Sequence, residues 1–183
     1  MHLFFSKSQI SRLAVAIANG MLRVTPFFWL RWSLLAAIGV QIHRSSSVHR
    51  RLRLTTFGKI TIGRDSTINR DVFLDGRERI TIGNNVTIAH ECKIYTLGHD
   101  IDSPNFKARG APVRIGNNAV LFAGCKVMPG VKIGDNAVIL PFSVLTKPVG
   151  PNEVWGGNPA IFKRLRGAET FEYVSSYFVN FGN

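Results

Sequence analysis

Aliphatic side chains recur at every sixth position of this chain, and few folds accommodate that spacing. The unbroken series is Ile115, Leu121, Val127, Ile133, Ile139 and Leu145; shorter ones precede it at Ile42, Val48, Leu54, at Ile62, Ile68, Leu74, and at Ile82, Ile88, Ile94. Four residues after the aliphatic position comes a small or β-branched residue, as at Ser66, Val72, Val86, Cys92, Ala119, Cys125, Val131, Ala137 and Ser143. Neither the 3.6-residue period of a helix nor the alternation of a half-buried strand produces this beat. A chain that turns a corner every six residues does. Three hexapeptides then close one triangular coil, coils stack through parallel-strand hydrogen bonds, and the aliphatic residues form internal ladders.

The series begin at Ile42, Ile62, Ile82, Ile115 and Ile133, separated by 20, 20, 33 and 18 residues. The last step is one complete coil, and the first two carry two extra residues at a corner. The third carries fifteen extra, which must be a loop thrown out of the coil, placed at 99–112. The expected fold is therefore all-β: a parallel β-helix of about five coils over 41–150, preceded by a helical segment (1–40) and followed by a C-terminal extension (151–183). A coincidental period in an Ile/Val-rich β-sandwich is the weaker alternative, since a sandwich would show alternation and irregular turns. The same register puts Cys92 and Cys125 in one inward column, one coil apart, as buried small core residues rather than nucleophiles or metal ligands.

Charge narrows the partner classes. The chain has 23 Lys+Arg against 11 Asp+Glu, a net +12. Residues 1–58 hold eight basic residues and no acid, whereas the rest is ordinary for a soluble surface. No apolar run of about 20 residues exists to span a membrane, and two cysteines make no disulfide framework. The expected location is cytoplasmic, with peripheral contact at a membrane face as an option. Residues 3–24 and 27–40 read as helices broken at Thr25-Pro26. They suit capping of the open end of the β-helix or a subunit contact, ahead of a place on a membrane surface. The aromatics do not interleave with the basic residues as in a single-strand platform, so nucleic acid is not an expected partner.

The chain leaves its repeat at Thr96-Leu97-Gly98-His99-Asp100-Ile101-Asp102-Ser103-Pro104-Asn105-Phe106. A functional loop is where a rigid scaffold places chemistry. His99 is either a general base acting on an acceptor hydroxyl or a surface-loop histidine, and position alone weighs the two evenly. Asp100 and Asp102 are either orienting acids or turn formers.

The stretch Ile82–Arg166 resembles the hexapeptide-repeat sugar O-acetyltransferases, of the galactoside, maltose and especially exopolysaccharide (colanic-acid) types. The motifs that carry this are G-H-D-x-x-x-P-x-F at Gly98–Phe106, P-V-x-I-G-N-N at Pro112–Asn118, P-G-V-x-I-G-D-N at Pro129–Asn136, L-T-K at Leu145–Lys147 and G-N-P-A at Gly157–Ala160. The resemblance implies a left-handed coil, a homotrimer with active sites between subunits, acetyl-CoA as co-substrate, and a saccharide acceptor such as an exopolysaccharide or capsule precursor. It makes His99 the catalytic base and the backbone amide at Ala123 the oxyanion donor. Asn69 becomes an acceptor contact, with Asp100 as a further candidate. Ala123, Pro141, Thr146, Lys147 and Arg164 become the positions lining the coenzyme groove. The chain departs from the family pattern at Val120, Phe122, Pro141 and Ile161. Metal-dependent relatives of this fold use three histidines; His90 and His99 lack a third partner and the spacing, so no metal is expected. Competing readings are acetylation of an amino sugar, serine or antibiotic, and a non-catalytic scaffold or membrane-surface binder.

Overall fold

The computed structural model describes residues 7–167, with side chains from residue 12 onward. Two helices, α1 (Lys7–Val24) and α2 (Phe28–Ala37), precede a parallel β-helix whose strands are two or three residues long. Its first face stacks Gln41–Ile42, Ile60–Ile62, Ile80–Ile82, Val113–Ile115 and Lys132–Ile133. The second stacks Ser47–Val48, Thr67–Ile68, Thr87–Ile88, Val120–Leu121 and Val138–Ile139; the third stacks Arg53–Leu54, Phe73–Leu74, Lys93–Ile94, Lys126–Val127 and Val144–Leu145.

The register matches the sequence period residue for residue. Ile42, Ile62, Ile82, Ile115 and Ile133 are successive partners on the first face. Val48, Ile68, Ile88, Leu121 and Ile139 are successive partners on the second. Leu54, Leu74, Ile94, Val127 and Leu145 follow on the third. Apart from half-buried Ile42, all of these side chains are buried, and each is worth about 2 kcal/mol of apolar transfer. Cys92 and Cys125 are buried free thiols, as the column predicts. Their Sγ atoms lie 3.1 Å from the Phe122 and Leu140 carbonyls. Contact with Cys125 and burial push the Cys92 thiol up, away from thiolate chemistry.

Corners form where one residue per turn adopts positive φ. Between the first and second faces these are Asp65, Asn85, Asn118, Asn136 and Asn152, the residue types that tolerate this backbone region best. Their side chains also link the coils: Asn85 donates to Asn118 (2.9 Å), Asn118 to Asn136 (3.0 Å) and Asn136 to Asn152 (2.9 Å). This polar ladder satisfies amides that would otherwise stand unpaired at each corner.

The coil does not end at residue 150. Val149 bridges to Ile133, and Glu153–Gly157 continues the second face, with Trp155 above Ile139. Ala160–Leu165 then folds back antiparallel, so Gly157-Asn158-Pro159-Ala160 is a hairpin turn. The aromatic tail from Phe171 to Phe181 lies outside the described residues.

At the other end the helices cap the first coil, as one of the expectations had it. Leu22 and Leu35 are fully buried in the same core. Asn19 on α1 both donates to and accepts from the Leu54 backbone, at 2.9 Å each. Arg31 on α2 is fully buried, and it donates to the carbonyls of Val48 (2.7 Å), Thr25 (2.7 Å) and Pro26 (3.2 Å). Burial lowers its pKa to about 10. The first coil's open strand edge is thus met by side-chain donors and apolar surface instead of water.

Candidate active site: a hairpin at one edge and an amide at another

The chain departs from the coil through a neck built on Asp75. This carboxylate is fully buried at the corner between the third and first faces, where the two extra residues of the 20-residue step are inserted. Arg77 clamps both of its oxygens at 2.8 Å, and Thr55 donates to Oδ1 at 2.8 Å. The amides of Thr96 and Leu97 face Oδ2 at 3.3 Å each. Burial works to raise the Asp75 pKa, but the hydrogen bonds from Arg77, Thr55 and Thr96 outweigh it and hold the pKa at about 2. The Thr96 hydroxyl bonds the Asp75 carbonyl at 2.5 Å and accepts from the Glu78 amide at 2.9 Å. The Ala111 amide closes the neck onto the Thr96 carbonyl at 2.9 Å.

Above the neck the extrusion is a β-hairpin, Leu97–His99 antiparallel to Ala108–Gly110. It starts two residues earlier than the 99–112 span, so His99 is the third residue of its first strand and pairs with Ala108. The imidazole is exposed. Phe106, with φ 49°, lays its ring on it at 4.5 Å between centroids and 7° between planes. A stacked ring restricts the imidazole's orientation without using either nitrogen. The Asp100 carboxylate accepts the Asp102 amide at 3.1 Å, which is the turn-forming use of the residue.

The remaining sequence-derived positions divide between two edges of the prism. Asn69, Ala123 and Pro141 fall on the edge between the second and third faces. Thr146 and Lys147 fall, exposed, on the edge between the third and first, the edge that also bears the hairpin. Arg164 lies in the final strand opposite Val154, its guanidinium on the Leu165 carbonyl. One chain therefore groups His99 with Thr146 and Lys147, and Ala123 with Asn69 and Pro141, and holds the groups apart by the third face.

The Ala123 edge presents a backbone donor to solvent. The Phe122 amide donates to Ile139 and the Gly124 amide to His90, both at 3.0 Å, whereas the Ala123 N–H between them has no acceptor among the described residues. Two exposed aromatic residues, Phe122 and Phe142, lie beside Ala123, the second bonding the Ala123 carbonyl through its amide at 2.8 Å. Phe142 sits at φ 58° and packs over Gly124, where an added Cβ would come within 2.5 Å of the ring. Position 124, itself at φ +71°, thus requires glycine. Sequence reasoning missed Asp75, Arg77 and the stacking role of Phe106. The only trace of the first two was the two-residue surplus at their corner.

Residues 112–147 match the model of the bacterial transferase hexapeptide (six repeats). WcaF of Escherichia coli (strain K12), named as a colanic acid biosynthesis acetyltransferase, is 32% identical over 151 residues, 79% of this chain and 83% of that protein. Shorter matches to curated proteins span 39% and 47% of the relatives concerned. Among solved structures, a maltose O-acetyltransferase from Clostridium difficile 630 superposes with TM-score 0.79 at 30% identity, covering 85% of this chain and 86% of that one. The hexapeptide-repeat acetyltransferase VCA0836 from Vibrio cholerae, complexed with acetyl coenzyme A, superposes with TM-score 0.80 at 25% identity, covering 91% and 94%.

Proposed function

The chain belongs to the hexapeptide-repeat acetyltransferase family, and from that premise we propose that it transfers acetyl from acetyl-CoA to a hydroxyl of a saccharide, an exopolysaccharide or capsule precursor. The observation that carries the reading is the hairpin. The one long interruption of the ladder ends in an exposed imidazole, ring-stacked on Phe106 and held over a buried, hydrogen-bonded neck.

His99 takes the proton from the acceptor hydroxyl as its oxygen attacks the thioester carbonyl. The Ala123 N–H donates to the oxyanion that forms. The tetrahedral intermediate then expels the coenzyme A thiolate, which recovers the proton from the imidazolium, so no acyl-enzyme forms. Lys147 and Arg164 meet the nucleotide phosphates as charge-assisted donors in this reading. Because His99 and Ala123 lie on different edges of one chain, the complete site needs the hairpin of one copy against the Ala123 edge of another, and a symmetric trimer supplies that arrangement three times. Acetyl transfer by wild type and His99→Ala tests the base: a loss of about 10²-fold or more in kcat is expected, and equal specific activities would overturn it.

We also propose that α1 rests on an anionic lipid surface. No helix among the described residues is long and apolar enough to cross a membrane. Leu13, Ile17, Met21 and Val24 nevertheless form an exposed stripe along α1, continued by Trp29 and Leu30, in a segment whose charges are all basic.

A further inference from the structure

We propose that the acceptor saccharide is anionic, its carboxylate or phosphate held in a basic groove on the third face; this rests on the acetyltransferase reading above and names the acceptor class. The groove has a volume of about 780 Å³, within the range of sites that enclose a small ligand. One wall is α1, with Asn19, Gly20 and Arg23. The floor is the third face, with Arg53, Lys93 and Lys126. The rim is the corner bearing Arg51, Asp71, Glu91, Gly124 and Phe142.

Five cations thus meet two carboxylates. Arg51 is already paired with Asp71 at 2.8 Å, and Arg53 lies over the Phe73 ring at 5.6 Å. Arg23, Lys93 and Lys126 form no ion pair among the described residues. Lys93 and Lys126 are also register partners on neighbouring parallel strands, about 4.8 Å apart in backbone. Like charges directly across a ladder repel. A sheet position that only needed a solvated surface would gain from replacing one of them with a neutral or acidic residue. An anion bridging the two ammonium groups removes the repulsion and uses both.

The groove's position separates acceptor from donor. Gly124 and Phe142 on its rim directly follow Ala123 and Pro141 in the chain. In height along the prism the positions assigned to coenzyme A lie on the C-terminal side of Ala123, Thr146 and Lys147 on the hairpin edge and Arg164 in the final strand. The groove runs the opposite way, through Lys93 and Arg53 to α1. A sugar whose hydroxyl is presented at the Ala123 amide therefore has its acidic substituent over Lys93 and Lys126. The basic excess of the N-terminal segment enters the same groove through Arg23, Arg51 and Arg53.

The test compares p-nitrophenyl β-glucuronide with p-nitrophenyl β-glucoside, which differ at C6, a carboxylate in the first and a hydroxymethyl group in the second, and share the ring hydroxyls. It adds glucose 1-phosphate, which keeps the 6-hydroxyl, to separate a carboxylate preference from a phosphate preference. The full chain is assayed with acetyl-CoA. We expect an acceptor KM at least about tenfold lower for an anionic sugar than for the glucoside, with the gap shrinking as salt screens the groove. In the double variant Lys93→Gln/Lys126→Gln, which touches no core side chain, the preference should vanish while the KM for acetyl-CoA and the thermal midpoint stay as in wild type. An equal or better KM for the glucoside overturns the proposal. So does a double variant whose defect falls on acetyl-CoA, since the groove would then serve the donor. Calorimetric binding of the glucuronide and glucose 1-phosphate, without acetyl-CoA, separates the two readings. Anion binding lost in the double variant without acetyl transfer upholds the groove and sinks the activity; transfer to the glucoside alone does the reverse.

Discussion

At the residue scale, two side chains set what His99 can do. Phe106 spends a left-handed backbone conformation to place its ring on the imidazole; for a bulky residue this costs about 1 kcal/mol. Removing the ring should free the imidazole without touching the core. Phe106→Ala is therefore expected to lower kcat by about tenfold with the thermal midpoint unchanged, and an unaltered kcat would show the stacking to be incidental. Asp75 acts further back, on the neck. Its folded-state pKa of about 2 lies below the ordinary 3.8, so its contribution to stability is present above pH 3.8 and lost as pH falls toward 2. The difference corresponds to about 2 kcal/mol. Urea unfolding followed from pH 6 to pH 2 should show that loss in wild type and a flatter curve in Asp75→Asn. Superimposable curves would mean the neck does not depend on the charge. His99 was readable as a candidate because it stands where the period breaks. Asp75 was not, because a buried acid held by Arg77, Thr55 and the Thr96 amide is a product of three corners meeting, successive ones 20 and 21 residues apart.

At the scale of elements, the ladders and the cap differ in legibility. The six-residue period placed the inward strand partners of the first five coils correctly, since a parallel coil leaves the inward side chain only one neighbour above and one below. The extruded element was legible as a length and not as a hairpin. Fifteen extra residues say that the chain leaves and returns, but the pairing of Leu97–His99 with Ala108–Gly110 depends on backbone bonds the composition does not announce. The helices were legible as helical segments and ambiguous in what they cover. The structure gives their inner face to the first coil through Leu22, Leu35 and Arg31, and leaves Leu13, Ile17, Met21 and Val24 outside. Sedimentation with phosphatidylglycerol vesicles should carry wild type down at low salt and release the Leu13→Glu/Ile17→Glu variant. Equal sedimentation of the two would remove the lipid reading.

At the scale of the whole molecule, the two halves of the proposed chemistry stand on different edges of one rigid prism. Bringing them together within a chain would require unstacking coils, which the ladders forbid. Assembly is the remaining route, and it makes a prediction that neither residue alone can make. His99→Ala and Pro141→Trp should each be inactive alone, the second because indole fills the groove beside Ala123. Co-expressed, they should form mixed trimers that regain a fraction of wild-type activity, since some interfaces then join an intact hairpin to an intact Ala123 edge. Mixed trimers that form without any regained activity would place the complete site within a single subunit.

The sequence by itself determined the coil, its ladders, the placement of both cysteines and the point of extrusion. Each follows from a one-dimensional period, and in a solenoid sequence distance converts directly into spatial height. Tertiary structure alone decided which edge each candidate occupies, what anchors the hairpin, where the coil ends, and that five cations line one groove. Those depend on where corners fall around the prism. Two extra residues at a corner leave the period readable while rotating nothing but the local contacts, so the information exists only once the coils are stacked.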